Sequence, residues 1–129
     1  MGNTSTEDKF IAMIGLAQVS FLKKNYAKAL ELYRSALSTF KSLPVKARIG
    51  MAYCYFYMEK YEMARACFTR ILNLKSDCIE AYIGLAVIEA KNENFGEYFK
   101  QLSKAFKINK KHPLVLIHLA EHYLIKGDL

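Results

Sequence analysis

The six residues IGLAQV at Ile14–Val19 return as IGMAYC from Ile49, IGLAVI from Ile83 and IHLAEH from Ile117, at steps of 35, 34 and 34 residues. A period of that length marks a repeat protein, whose units each bury an apolar face on their neighbours. Around the copies, apolar residues recur at three- and four-residue steps, as in Tyr26, Leu30, Tyr33 and Leu37, which is the helical period. No segment alternates as a strand would. The pattern predicts an all-α chain of seven helices: three complete pairs and the first helix of a fourth.

Composition narrows the function. The chain has 129 residues, is 53% hydrophobic and carries nine tyrosines and eight phenylalanines, ample for a packed core and unlike a disordered segment. No apolar run reaches the roughly 18 residues that span a bilayer, and MGNTSTEDKF lacks the pattern of a secretory signal. A membrane role is therefore not expected. Cys54, Cys67 and Cys78 are odd in number and form no C-x-x-C, which fits small apolar thiols in a reducing intracellular compartment. Neither a metal nor a cofactor is expected. The net charge of +7 raises the question of an acidic partner or nucleic acid.

The period resembles that of the tetratricopeptide repeat (TPR), a 34-residue helix pair. Its consensus, W-x-x-L-G-x-x-Y on helix A and A-x-x-x-F with a later Ala on helix B, finds counterparts throughout. The L-G pair becomes Leu16-Ala17, Met51-Ala52, Leu85-Ala86 and Leu119-Ala120. Helix B reads Ala29, Tyr33, Ala36, then Ala64, Phe68, Ile71, then Tyr98, Leu102, Ala105. The resemblance implies a right-handed superhelix of antiparallel pairs, an α-solenoid of about three and a half repeats. These fall at about 10–43, 44–77, 78–112 and, as a half repeat, 113–129. Bulky Tyr98 stands where a small residue is usual, and a slightly splayed third pair is expected. Pro44 and Pro113 read as first helical residues. Asn25 reads as a cap, and Asp77 with Glu80 and Asn94 with Glu97 have capping-box spacing. HYLIKGDL stops at the turn that leads into a helix B. The preceding helix is apolar nearly all round, so residues 1–129 read as a single TPR domain cut from a longer array. Self-association through Ala120–Leu129 is expected of it.

Catalysis finds no support: there is no G-x-S-x-G, phosphate loop or G-x-G-x-x-G, and the chain reads as a non-enzyme. His118–His122 matches the H-x-x-E-H zinc motif, but Leu119 and Ala120 already belong to the packing register, so two helix-surface histidines are the reading. Lys100, Lys104, Lys107 and Lys111 form a stripe along the sixth helix. It reads first as a solvated convex face and secondarily as a basic contact for an acidic partner or nucleic acid.

Helix A residues should line the concave groove. Those expected to bind are Ile14, Gly15, Gln18 and Phe21, then Ile49, Gly50, Tyr53, Phe56 and Tyr57. Ile83, Gly84 and Val87 follow, with His118 and Glu121 in the last copy. A mid-helix glycine costs about 1 kcal/mol against alanine, so three at one repeat position call for a reason. Close approach of a partner backbone is the expected one. The groove lacks the lysine and asparagine array with which chaperone-binding TPR domains clamp a terminal carboxylate.

ARIGMAYCY, EMARACFTRILNL, IEAYIGLAVIE and HPLVLIHLAEHYLIKGD closely resemble the large TPR scaffold subunits of the RNA polymerase II-associated factor (Paf) complex, from about Ile14 onward. The resemblance implies a non-enzymatic nuclear scaffold whose partners are other subunits of that complex. It further implies support for transcription elongation and transcription-coupled histone modification. A TPR co-chaperone or trafficking adaptor is the alternative.

Overall fold

The computed structural model describes residues 5–40 and 44–126, with side chains through Glu121. Seven helices occupy them: α1 (Thr6–Leu22), α2 (Tyr26–Thr39), α3 (Val45–Tyr57), α4 (Tyr61–Leu74), α5 (Ile79–Lys91), α6 (Phe95–Ile108) and α7 (Pro113–Lys126). No strand occurs among the described residues. The chain forms two compact units that meet within α4, one running through Cys67 and one from Phe68.

Within the first unit α2 packs on both α1 and α3; within the second α6 packs on both α5 and α7. Small residues permit this. Ala17, Ala52 and Ala86 have no exposed surface, and all nine helix B residues of the repeat register are buried. Ala120, the fourth copy's counterpart, is exposed. The expected splay of the third pair does not occur, since α5 and α6 pack at least as extensively as α1 and α2. Tyr98 instead sits in a cluster with Ala86 and Leu102, where the alanine makes room for the ring.

The turns inside the pairs are built alike. Asn25, Lys60 and Asn94 donate their N–H groups to the carbonyls of Ser20, Tyr55 and Glu89 at 2.9 Å each. Lys24, Glu59 and Glu93 do so to Phe21, Phe56 and Ala90 at 2.9–3.0 Å. This paired pattern closes a helix with one left-handed residue. Lys24, Glu59 and Glu93 hold that conformation at φ of 63°, 64° and 58°, where a Cβ is strained by about 1–2 kcal/mol. Gly127 falls at the same repeat position of the fourth copy, outside the described residues. Glu93→Gly should therefore raise stability by roughly 0.5–1 kcal/mol, the relief of strain exceeding the added freedom of the unfolded chain. A urea midpoint that is unchanged or lower would contradict this.

Helix starts follow the sequence in part. Ser5, Asn25 and Asn94 cap α1, α2 and α6 by accepting from the N–H groups of Asp8, Lys28 and Glu97 at 3.0, 3.3 and 3.5 Å. Pro113 opens α7 as expected, but Pro44 is the N-cap of α3 rather than its first residue. The Asp77–Glu80 capping box does not form. A turn in which the Cys78 N–H donates to the Lys75 carbonyl at 3.2 Å delays the helix, and Cys78 takes the cap position without a side-chain bond.

Cys54 and Cys78 are buried. Burial pushes the Cys54 thiol from 9.0 up to about 12 and also raises Cys78, Tyr33 and Tyr98. The folded chain thus keeps protons that the unfolded chain releases above about pH 9. The stability associated with Cys54 is full below that pH and is lost as pH climbs toward 12, at about 1.4 kcal/mol per unit. Urea denaturation at about pH 8 and about pH 11 should show the decline, and Cys54→Ala should flatten it. An equal slope in both proteins would contradict the assignment.

Candidate partner-binding face

Gln18, Phe21 and Leu22 share one face of α1, and Lys46, Ile49, Gly50 and Tyr53 share one face of α3, at three- and four-residue steps. With Tyr33 of α2 they line a cleft of ≈ 380 Å³. Its lining is aliphatic and aromatic except for the Gln18 amide, the Lys46 ammonium and the hydroxyls of Tyr33 and Tyr53; no carboxylate lines it. Tyr33 has 3% of its surface exposed and crosses Gly50 so closely that a Cβ there would lie 2.5 Å from its Cζ and Oη. Burial first, and then Cys54, raises its hydroxyl pKa. The cleft therefore has a neutral, fixed ring as its floor.

This geometry revises the role of the glycines. The close approach at Gly50 comes from within the fold. The same holds in the second unit, where a Cβ on Gly84 would overlap the ring of Phe68, itself without exposed surface. In both cases the aromatic residue of one helix B lies on the following helix A. The fourth copy keeps the contact without the glycine. Tyr98 donates its hydroxyl to the His118 carbonyl at 3.2 Å, and His118 Nδ1 lies 3.2 Å from the same oxygen. His118 Nδ1 is also 3.7 Å from a carboxylate oxygen of Glu121. The side chain of His122 lies outside the described residues.

At one end of the cleft Phe21, Tyr26 and Tyr57 form a ring cluster. Tyr26 and Tyr57 are stacked with centroids 5.1 Å apart, and Phe21 meets both edge-on at 5.2 and 5.6 Å. Tyr57 is half exposed, so the cluster is held in place yet offers surface. Phe56 differs: it is 6% exposed and packs beneath Tyr57 and Tyr61 at 5.2 and 5.4 Å. Its expected role as an anchor is corrected to a core role.

Of the other expected positions, Ile14 and Gly15 are half-buried on α1. Ile83 is buried against Ala105 and Val115, with Val87 packed at the edge of the same cluster, so Ile83 and the covered Gly84 are core residues rather than open lining. Glu121 is exposed. Lys100, Lys104, Lys107 and Lys111 are all exposed on α6 and the turn after it, with Lys100 3.7 Å from Glu97. No helix among the described residues is long and apolar enough to cross a membrane. Sequence reading missed Tyr33 and Tyr26 as parts of the site. A signal for Tyr33 was present: an aromatic helix B residue precedes each covered glycine by sixteen or seventeen positions.

Paired helices with alanine seams, ring-on-glycine contacts between successive pairs and a helix A cleft define a tetratricopeptide-repeat protein. The family model described as anaphase-promoting complex, cyclosome, subunit 3 matches residues 3–71, and the chain belongs to that family of TPR proteins. Among curated proteins it is 29% identical over 124 residues to Protein CTR9 homolog of Arabidopsis thaliana, covering 94% of this chain and 11% of that protein. It is 25% identical over 122 residues to RNA polymerase-associated protein CTR9 of Caenorhabditis elegans, covering 92% of this chain. The chain thus spans 11% of the length of each of these relatives. Among solved structures, the type III secretion translocator chaperone SycD of Yersinia enterocolitica superposes with a TM-score of 0.82. That match has 15% identity and covers 95% of this chain and 96% of that one.

Proposed function

We propose that this chain is a protein-docking segment of a non-enzymatic TPR scaffold that accompanies RNA polymerase II as part of the Paf complex. It seats a helix or extended segment of another subunit in the α1–α3 cleft. The observation that carries the docking role is the cleft itself, an apolar, ring-floored depression with a half-exposed aromatic cluster at its end. Surfaces of that composition are where aromatic anchors concentrate binding energy. The transcriptional setting is supported by the CTR9 relatives, one of which is named as RNA polymerase-associated. A nuclear location and a contribution to elongation and transcription-coupled histone modification follow from that setting. Lys46 stands alone as a cation in the cleft, which speaks against a chaperone-type carboxylate clamp.

The test is affinity purification of the parent protein with identification of what accompanies it. Polymerase subunits and elongation factors are expected. Chaperones in their place would overturn the assignment in favour of a co-chaperone.

A further inference from the structure

The floor of the α1–α3 cleft carries an unmet donor. Tyr33 is 3% exposed, and its hydroxyl end crosses Gly50 where both line the cleft. Among the described residues no hydrogen bond engages that hydroxyl. A buried phenol ordinarily finds a partner; Tyr98, buried likewise, donates to the His118 carbonyl at 3.2 Å. Packing does not call for the Tyr33 oxygen, because Phe68 and Leu102 fill the same repeat position without one. Burial keeps the phenol protonated, so it presents O–H to the cleft. The other polar lining leans the same way: the Lys46 ammonium can only donate, the Gln18 amide can donate, and no carboxylate is present to accept.

Resting on the docking role proposed above, we infer that the occupant of this cleft is a proline-rich segment of another polypeptide in the polyproline II conformation. One of its carbonyls accepts from the Tyr33 hydroxyl, and its prolines pack on the rings of Phe21 and Tyr53. A helix commits its carbonyls to its own backbone and would leave the Tyr33 donor to a chance side chain. A β-strand brings an N–H with every carbonyl, and each buried N–H needs an acceptor in a cleft that holds no carboxylate. Polyproline II has no internal hydrogen bonds, and proline has no N–H, so such a segment offers carbonyls without donors to satisfy. Its stiffness also limits the entropy lost on docking against aromatic surfaces. The receiving rings are already held in place. Tyr33 lies fixed across Gly50, and Phe21 meets Tyr26 and Tyr57 edge-on at 5.2 and 5.6 Å.

The test titrates the 129-residue chain with an oligoproline peptide of about ten residues, roughly three polyproline II turns. An alanine-rich helix former and an alternating Thr-Gln strand former of the same length are the comparisons. All three are blocked at both ends, which removes the terminal carboxylate that a clamp would grip. Oligoproline should bind about tenfold or more tightly than either comparison. Tyr33→Phe should weaken it by roughly 3- to 10-fold, the scale of one hydrogen bond. The melting temperature of that variant should hold or rise, because the hydroxyl has no partner to lose in the free chain. Tyr53→Ala should weaken it by roughly 30-fold. No binding of oligoproline, a preference for either comparison peptide, or binding indifferent to both substitutions would overturn the proline-rich occupant. In the parent protein, oligoproline should also suppress the adduct formed by a photo-activated cross-linking residue at Gln18. An adduct that persists at saturating oligoproline would overturn this occupant and leave docking in the cleft standing. Absence of any adduct from that position would remove the docking role, and this inference with it.

Discussion

Phe68→Ala is expected to lower the stability of the chain by about 3–5 kcal/mol, the range for emptying a fully buried phenylalanine site. Phe68 has no exposed surface, and its ring fills the space that Gly84 leaves. The reciprocal change, Gly84→Ala, gains helix propensity but drives a methyl into that ring. The ring is enclosed and cannot swing aside, so overpacking of about 1–3 kcal/mol prevails. At Gly50 the clash is with the hydroxyl end of Tyr33, and a smaller loss is expected. The double variant Phe68→Ala/Gly84→Ala should cost less than the two losses added together, because the new methyl enters the emptied space. Urea denaturation of the four proteins closes the cycle. Strict additivity would show that ring and glycine do not share one site.

Tyr53→Ala should weaken capture of the cleft's partner by roughly 30-fold, the scale of an aromatic hot spot worth about 2 kcal/mol, while the chain stays folded. Tyr53 is partly exposed on the cleft wall, with Phe56 and Tyr57 at 6.3 and 6.4 Å. Tyr57→Ala should act in the same sense, because half its surface is exposed. Phe56→Ala should behave in the opposite way, losing stability along with binding, since that ring lies in the core. Co-purification and thermal melts of the three variants separate the outcomes. Loss of fold without a binding-specific defect in Tyr53→Ala would remove it from the list of anchors.

The repeat period made the fold legible. A 34-residue spacing of Leu-Ala pairs and of helix B residues such as Ala29, Tyr33 and Ala36 fixes both the helices and the face each buries. The α-helical period admits few alternatives once small residues recur at one seam. The site was legible only in part. Gln18, Phe21, Ile49, Gly50 and Tyr53 converge on the cleft because they share helix A faces. Ile83 and Phe56 stand on the same faces yet are buried, and periodicity alone does not say which lining positions a neighbouring helix will cover. Gly50 and Gly84 were misread for a related reason. Their cost in a helix signalled close approach, but the approaching group is a helix B ring seventeen or sixteen residues earlier, a contact between repeats that single-helix reasoning does not contain. The Asp77 cap failed because a turn at Lys75–Cys78 moved the helix start by one residue, the kind of shift that backbone hydrogen bonding decides locally.

Docking in the α1–α3 cleft is tested most directly by a photo-activated cross-linking residue placed at Gln18 in the parent protein, with Lys28 on the exposed side of α2 as the comparison. A discrete adduct with another polypeptide from position 18, absent from position 28, is the expected result. It should fade when Tyr53→Ala is introduced. An adduct from position 28 with none from position 18 would contradict partner docking in the cleft.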